Sequence, residues 1–303
     1  MTTERALPLR HALLALAVMA VWGSNFVVIR AGLAHLPPLL FAFLRFALVL
    51  VPAVFFLKRP AVAWRNLVTY GVLIGAGNFG LLYIAMNGHI TPGLASLVLQ
   101  TQVFFTIGLA MYLTGDRMQR YQGLALALAL AGILIILAHT DTATTPLGMV
   151  LALGAALGWA SGNMVIRATP SVDMLPFVVW ASLFSAPPLL LLSLVFEGWP
   201  LIRDSLAAAG PDAWAAVIWQ SVANTMFGYS VWGWLLARYP AATVAPMSLL
   251  VPVFGMAASA VWLSEPLPGW KLAAAGLVLS GLALNLLWPK LRAAVSKRAM
   301  LVD

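Results

Sequence analysis

Trp22-Gly23-Ser24-Asn25-Phe26-Val27-Val28-Ile29-Arg30 is answered far down the chain by Trp159-Ala160-Ser161-Gly162-Asn163-Met164-Val165-Ile166-Arg167, with the Trp, Ser, Val, Ile and Arg in register. Both stretches sit inside long apolar runs. Phe79-Gly80 returns as Phe227-Gly228, and Asp116, Tyr121 and Gly132 return as Glu265, Trp270 and Gly281. The chain therefore reads as two tandem copies, residues 1–140 and 141–303. Each copy holds five apolar runs, an odd number, so the second copy must enter a bilayer from the opposite side. The expected fold is all-α and polytopic: ten transmembrane helices as two inverted five-helix repeats, with any solute site near the midplane between the halves.

Composition agrees with that reading. Of 303 residues, 62% are hydrophobic and only 9% charged, against about a quarter charged in a soluble domain, and the mean hydropathy is +0.96. Runs long enough to cross about 30 Å of hydrocarbon, roughly 17 to 25 residues each, fall near 11–34, 38–57, 66–87, 92–114, 120–138, 146–168, 174–195, 212–236, 241–263 and 269–288. Turn formers such as Pro37-Pro38, Gly115-Asp116 and Pro266-Leu267-Pro268-Gly269 separate them. Arg5 and Arg10 before the first run resemble a signal peptide, but the run's counterpart in mid-chain argues that it stays as a span. With the N-terminus in the cytoplasm, the inner loops collect Arg10, Lys58, Arg59, Arg65, Arg120, Arg167, Arg238 and the basic tail, while the outer side holds only Arg30, Arg203 and Lys271. That asymmetry selects N-in and C-in. It also accounts for the net charge of +8 without nucleic acid, because the cations form no patch interleaved with exposed aromatics.

Several chemistries drop out. There is no Cys, and the four His (His11, His35, His89, His139) have no second ligand at metal spacing, so neither a metal nor a cofactor is expected. No H-E-x-x-H, G-x-S-x-G or paired intramembrane aspartate marks an enzyme.

Polar side chains deep in a span either hold helices together or face an aqueous cavity. Asn78 and Tyr83 lie on the third span, Gln100, Gln102 and Thr106 on the fourth, Asn163 on the sixth, and Gln220, Asn224 and Tyr229 on the eighth. Their concentration points to a polar cavity, with Asn78, Tyr83, Gln102, Asn163 and Asn224 as substrate-binding candidates. Arg45 lies well inside the second span with no acidic residue at its depth. A buried Arg marks function by default: either its fork takes a substrate carboxylate, or it ties down backbone carbonyls freed by Pro37, Pro38 or Pro52. Trp64, Trp199, Trp214, Trp262, Trp270 and Trp288 fit interfacial belts. Trp22, Trp159, Trp180 and Trp219 sit deeper, where a ring can stack on an aromatic solute; Trp159 and Trp180 join the candidates. Gly71-x-x-x-Gly75 and Gly154-x-x-x-Gly158 are packing motifs, within one chain or between two, so monomer and homodimer both stay open. Pro187-Pro188, Pro246 and Pro252 interrupt the seventh and ninth spans, and Pro246 and Pro252 are candidate gating hinges.

Taken together, Trp22-Gly-Ser-Asn with Arg30, Arg45 in Phe41-Ala-Phe-Leu-Arg-Phe46, Asp116, Trp159-Ala-Ser161, Pro240-Ala-Ala-Thr243, Pro252-Val-Phe254 and Glu265 resemble the tandem signature of the EamA-domain branch of the drug/metabolite transporter superfamily, over nearly the whole chain. Within that branch the chain is most similar to YddG-type exporters of aromatic and other neutral amino acids. The resemblance implies a multi-pass carrier in a bacterial plasma membrane, with a cavity lined by the first four spans of each half and the fifth and tenth peripheral. Two departures stand out: Asp116 replaces the usual Glu, and Trp180 stands where Arg45 would repeat, so a strictly symmetric site is not implied. With no Asp or Glu inside a span, alternating access without a carboxylate relay is expected. One buried Arg among many amides suits a zwitterion, and the alternative cargo is a drug or other small metabolite of the same superfamily.

Overall fold

A computed structural model describes residues 8–115, 118–169, 173–239 and 244–299, with the backbone alone at 114, 246 and 289–299. Asp116 and the Pro240–Thr243 stretch lie outside the described residues. Every regular element among those described is helical. Eight helices are long and apolar enough to cross a membrane: α1 (Leu9–Gly32), α2 (Pro38–Phe56), α3 (Trp64–Met86), α4 (Pro92–Leu113), α5 (Arg120–Ala138), α6 (Pro146–Arg167), α7 (Met174–Phe196) and α11, whose apolar part is Gly269–Trp288. Between α7 and α11 lie a short helix α8 (Trp199–Ala208), a helical rod α9 (residues 211–238), and the shorter apolar helix α10 (Met247–Trp262).

Helix starts follow local chemistry. Pro38, Pro92, Pro146 and Pro211 take first-turn positions, where the missing N–H costs nothing. Two acids close starts from a distance. Glu197, just past α7, accepts the N–H groups of Leu39 at 2.6 Å and Leu40 at 3.0 Å and the Ser193 hydroxyl at 2.6 Å. Glu265, just past α10, accepts the Gly93 N–H at 3.0 Å and the buried Lys271 ammonium at 2.8 Å. Each carboxylate meets the positive end of a helix dipole and pins the end of a second-half helix to the start of a first-half one.

Neighbours cross between the halves: α2 packs on α7, α5 on α11, α1 on α9 and α10, and α6 on α3 and α4. Glycines set the close approaches, and here they act within one chain. Gly71 and Gly75 abut Ala181 and Ser185 of α7, and Gly158 abuts the Gly77 backbone. The sequence-paired Gly132 and Gly281 seat α5 and α11 reciprocally, against Val278 and Ala125.

Three departures from plain α-helices shape the interior. Leu73–Gly80 of α3 and Trp219–Phe227 of α9 are π-helical; both lead into the repeated Phe-Gly pairs. The Thr225 hydroxyl donates to the Gln220 carbonyl at 2.8 Å, satisfying an oxygen the widened turn leaves weakly bonded. Ala245–Leu249, just ahead of and overlapping α10, is a 3-10 turn. By contrast, α7 runs unbroken through Pro187 and Pro188, so these prolines do not interrupt the seventh span. Pro252 occupies the first turn of the α-helix Leu250–Trp262, where its missing donor is unneeded; Pro246 lies in the 3-10 turn, and the irregularity belongs to that turn.

Candidate functional site

A cavity of about 80 Å³ lies where α1, α3, α4, α6, α9 and α10 converge. Its wall is aromatic and amide: Trp22 and Asn25 from α1, Asn78 and Phe79 from α3, Gln100 from α4, Trp159 from α6, and Asn224 and Tyr229 from α9. The π segments place three of these eight, Asn78, Phe79 and Asn224. In each, the widened turn carries an Asn on the cavity side, and the Trp22 indole N–H donates to the Asn224 carbonyl at 3.0 Å, bridging α1 to α9. Trp22 also packs on Tyr229 with ring centroids 5.7 Å apart.

The amides are incompletely satisfied. Asn78 donates through Nδ2 to the Ala155 carbonyl at 3.0 Å, yet its Oδ1 has no partner, and neither has Asn25 Oδ1. A buried acceptor left unpaired costs about 1–3 kcal/mol. Both oxygens are almost inaccessible, so a donor, water or solute, reaches them only when the side chains turn toward the cavity.

Behind Phe79 lies Arg45, only 1% exposed. Its guanidinium donates to Gln220 Oε1 and Thr225 Oγ1, each at 3.0 Å, and at 3.4 Å to the Tyr83 hydroxyl, and it stacks over the Phe79 ring at 3.7 Å. No carboxylate is among its partners in the described residues. The arrangement is still tenable: placing Arg at a span centre costs about 2.5–3.5 kcal/mol on insertion scales, while hydrogen bonds from a charged donor return about 1.5–3 kcal/mol each and a desolvated cation–π contact about 2. Its acceptors are side chains of α3 and α9, not the carbonyls freed by Pro37, Pro38 or Pro52.

The sequence-derived candidates thus separate. Asn78, Trp159 and Asn224 line the cavity. Tyr83 and Arg45 form the layer behind it, with Tyr83 fully buried against Phe41 and Phe79. Asn163 and Gln102 meet each other instead: Asn163 Nδ2 donates to Gln102 Oε1 at 2.8 Å and to Thr106 Oγ1 at 3.3 Å, clasping α6 to α4 one turn from Trp159. Trp180 lies apart, its indole N–H on the Leu57 carbonyl at 3.0 Å and its ring edge-on to Trp64. Pro252 is not among the described residues that line the cavity. Trp22, Asn25, Gln100, Phe79 and Tyr229 belong to the wall as well, together with the apolar Phe26, Ile74, Leu82, Leu99 and Val251. The first two stood in the repeated signature and Gln100 and Tyr229 among the intraspan polar groups, whereas nothing marked Phe79 beyond its place in the Phe-Gly echo.

The profile of the EamA-like transporter family matches residues 9–138 and again residues 146–287. The chain belongs to the EamA-like transporter family. Both matched segments of this EamA-like protein contribute to the cavity wall. It is 42% identical over 282 residues to a probable amino-acid metabolite efflux pump of Salmonella typhimurium, covering 91% of this chain and 94% of that one. A protein of the same description from Escherichia coli K12 is 39% identical over 292 residues, covering 94% and 98%. A solved crystal structure shares the fold, with a TM-score of 0.60 at 19% identity over 92% of this chain and 97% of the other. The EamA-like chain is a multi-pass transporter of the bacterial inner membrane and not an enzyme.

Proposed function

We propose that this transporter exports aromatic and other neutral amino acids by alternating access through the cavity, which lies between two inverted five-helix repeats, residues 1–140 and 141–303, with both termini cytoplasmic. The observation that carries the reading is the cavity wall itself. Two unpaired acceptors, Asn25 Oδ1 and Asn78 Oδ1, suit an ammonium group, and the faces of Trp22, Phe79, Trp159 and Tyr229 suit an apolar or aromatic side chain. No carboxylate lines the cavity, which disfavours a purely cationic cargo. Relatives described as probable amino-acid metabolite efflux pumps support the same class.

A space of about 80 Å³ is roughly half of the ~150 Å³ apolar cavity that takes up a benzene, so an amino acid enters only when the helices part. In the proposed orientation the inner end is closed by the Asn163–Gln102 clasp, beyond which a groove lined by Thr106, Gln119, Gln122 and Arg167 opens toward the cytoplasm. The 3-10 turn Ala245–Leu249, with Pro246 inside it and Pro252 just beyond, is where α10 flexes. Transport is uncoupled from protons, since no span interior carries Asp or Glu.

Counterflow in proteoliposomes tests the reading. Preloaded unlabelled phenylalanine or tryptophan is expected to drive transient accumulation of external label without an imposed ion gradient. If folded protein gives none, the amino-acid reading fails and a drug and metabolite panel follows; a substrate-dependent proton current would remove the uncoupled mechanism.

A further inference from the structure

The positive charge of Arg45 is buried without a counter-ion among the described residues, and the donors around it are in excess. Arg45 Nε and Gln220 Nε2 both lack a partner, although Arg45 is 1% and Gln220 0% exposed. The acceptors that Arg45 does reach, on Gln220, Thr225 and Tyr83, are all neutral. The remaining face of the guanidinium is covered by Phe79 at 3.7 Å, and that same ring lines the cavity. One aromatic side chain therefore touches both the uncompensated cation and the solute space. Structural arginines in hydrocarbon are expected to have their donors consumed, because each unpaired polar group there is expensive; here two neighbouring donors are unused.

We infer that Arg45 and Gln220 form a buried site for a single monovalent anion, screened from the cavity by Phe79, which must turn aside for the anion to arrive. The anion is a carboxylate or a small inorganic ion: the transported solute's own carboxylate, or chloride from solution. In the first case the inference deepens the amino-acid reading and rests on it. The solute's ammonium then lies at Asn25 and Asn78 and its carboxylate accepts from Arg45 Nε and Gln220 Nε2 once Phe79 has turned aside, which explains how a neutral cargo is distinguished from an amine.

Thermal melting of the purified full-length protein in detergent tests this without transport. The midpoint is followed against chloride with gluconate as the bulky control, against phenylalanine, and against phenylalaninamide, which lacks the carboxylate. Gln220→Glu is the decisive variant: it is near-isosteric, keeps an oxygen toward Arg45 and supplies a built-in anion. Wild type is expected to show a saturable upward shift with chloride or with phenylalanine, and at least tenfold weaker stabilisation by the amide. Gln220→Glu is expected to be folded and to lose the shift. A response to chloride identifies a free ion; a response to phenylalanine alone identifies the solute. Phe79→Ala, which removes the screen, is expected to lower the half-saturating concentration several-fold and gives a second handle if Gln220→Glu accumulates poorly. Absence of any anion response in wild type, or an undiminished one in folded Gln220→Glu, overturns the site. Counterflow that persists while the anion response is absent leaves the transport reading standing; an anion response with no counterflow does the reverse.

Discussion

Asn78 shows how one residue serves two purposes. Its Nδ2 donates to the Ala155 carbonyl and ties α3 to α6, while its Oδ1 is buried without a partner in a residue of the cavity wall. Asn78→Asp keeps the shape and the acceptor but removes the donor and adds charge, whereas Asn78→Leu removes both functions. The expected result is a loss of phenylalanine counterflow of tenfold or more in Asn78→Leu, with a thermal midpoint only modestly lowered because one hydrogen bond nets about 1 kcal/mol. Unchanged counterflow in a folded Asn78→Leu would confine Asn78 to holding helices together. At this scale the sequence was partly legible. An amide or a cation deep in a span announces itself by the cost of burying it, so Asn78, Asn224 and Arg45 were found. Which way each side chain turns was not visible. Gln102 and Asn163 have the same polarity and depth as Asn78, yet they satisfy one another, because the 3-10 turn Leu99–Thr101 rotates α4 and brings Gln102 to α6. Trp180 was misjudged for a related reason: its depth in α7 hides the fact that the chain between α2 and α3 folds up to meet its indole N–H at Leu57.

Among the elements, α4 is held at both ends by polar contacts, and the two differ in strength. At its start, the Gly93 N–H rests on Glu265, itself paired with Lys271; both are nearly buried, at 8% and 5% exposure. Removing one partner of a buried pair leaves an uncompensated charge and typically costs about 3–5 kcal/mol. Glu265→Gln is therefore expected to lower the thermal midpoint more than Glu265→Gln combined with Lys271→Met; equal losses would show that the ion pair is solvated and incidental. Further along, α4 is held by the neutral clasp from Asn163 to Gln102 and Thr106, worth about 1 kcal/mol per bond. The weaker contact is the one that can open. The chain has no Cys, so Gln100→Cys gives a single thiol in the cavity wall. Adding Asn163→Leu is expected to speed its labelling by a small maleimide several-fold from the cytoplasmic side. No change in rate would mean that the clasp does not close the cavity. The length of the apolar runs foretold helices here and throughout, but not the π segments, because a run that is apolar on nearly every face carries no period in which an extra residue per turn would show.

For the molecule as a whole, the repeat in the sequence predicted which helices are counterparts, and the packing pairs them across the halves: α1 with α9 as α6 with α3, and α1 with α10 as α6 with α4. The sequence reading counted α9 and α10 among ten crossings, whereas eight helices among the described residues are long and apolar enough to cross and α10 is shorter. The α-helix Leu250–Trp262 has 13 residues and the 3-10 turn before it has 5; at 1.5 and about 2.0 Å per residue these add to about 30 Å, the thickness of the hydrocarbon core. With the tighter turn included, residues 245–262 match the core thickness, which an α-helix of the same residues would miss by a few ångströms. The 28-position rod at residues 211–238 has length to spare, and its polar residues Gln220, Ser221, Asn224 and Thr225 are buried rather than turned to lipid. If both cross, exposed sites must alternate sides. Single cysteines at Asp141, Ala207 and Leu267 are expected to react with a membrane-impermeant maleimide in intact cells, and those at Lys58, Gln119 and Ala237 only after permeabilisation. Reversal of the whole set would invert the orientation while keeping the repeat. Reaction of Ala207 and Ala237 from the same side would remove α9 as a span, leave the second half with an even number of crossings, and so break the inverted arrangement on which a midplane site between the halves depends.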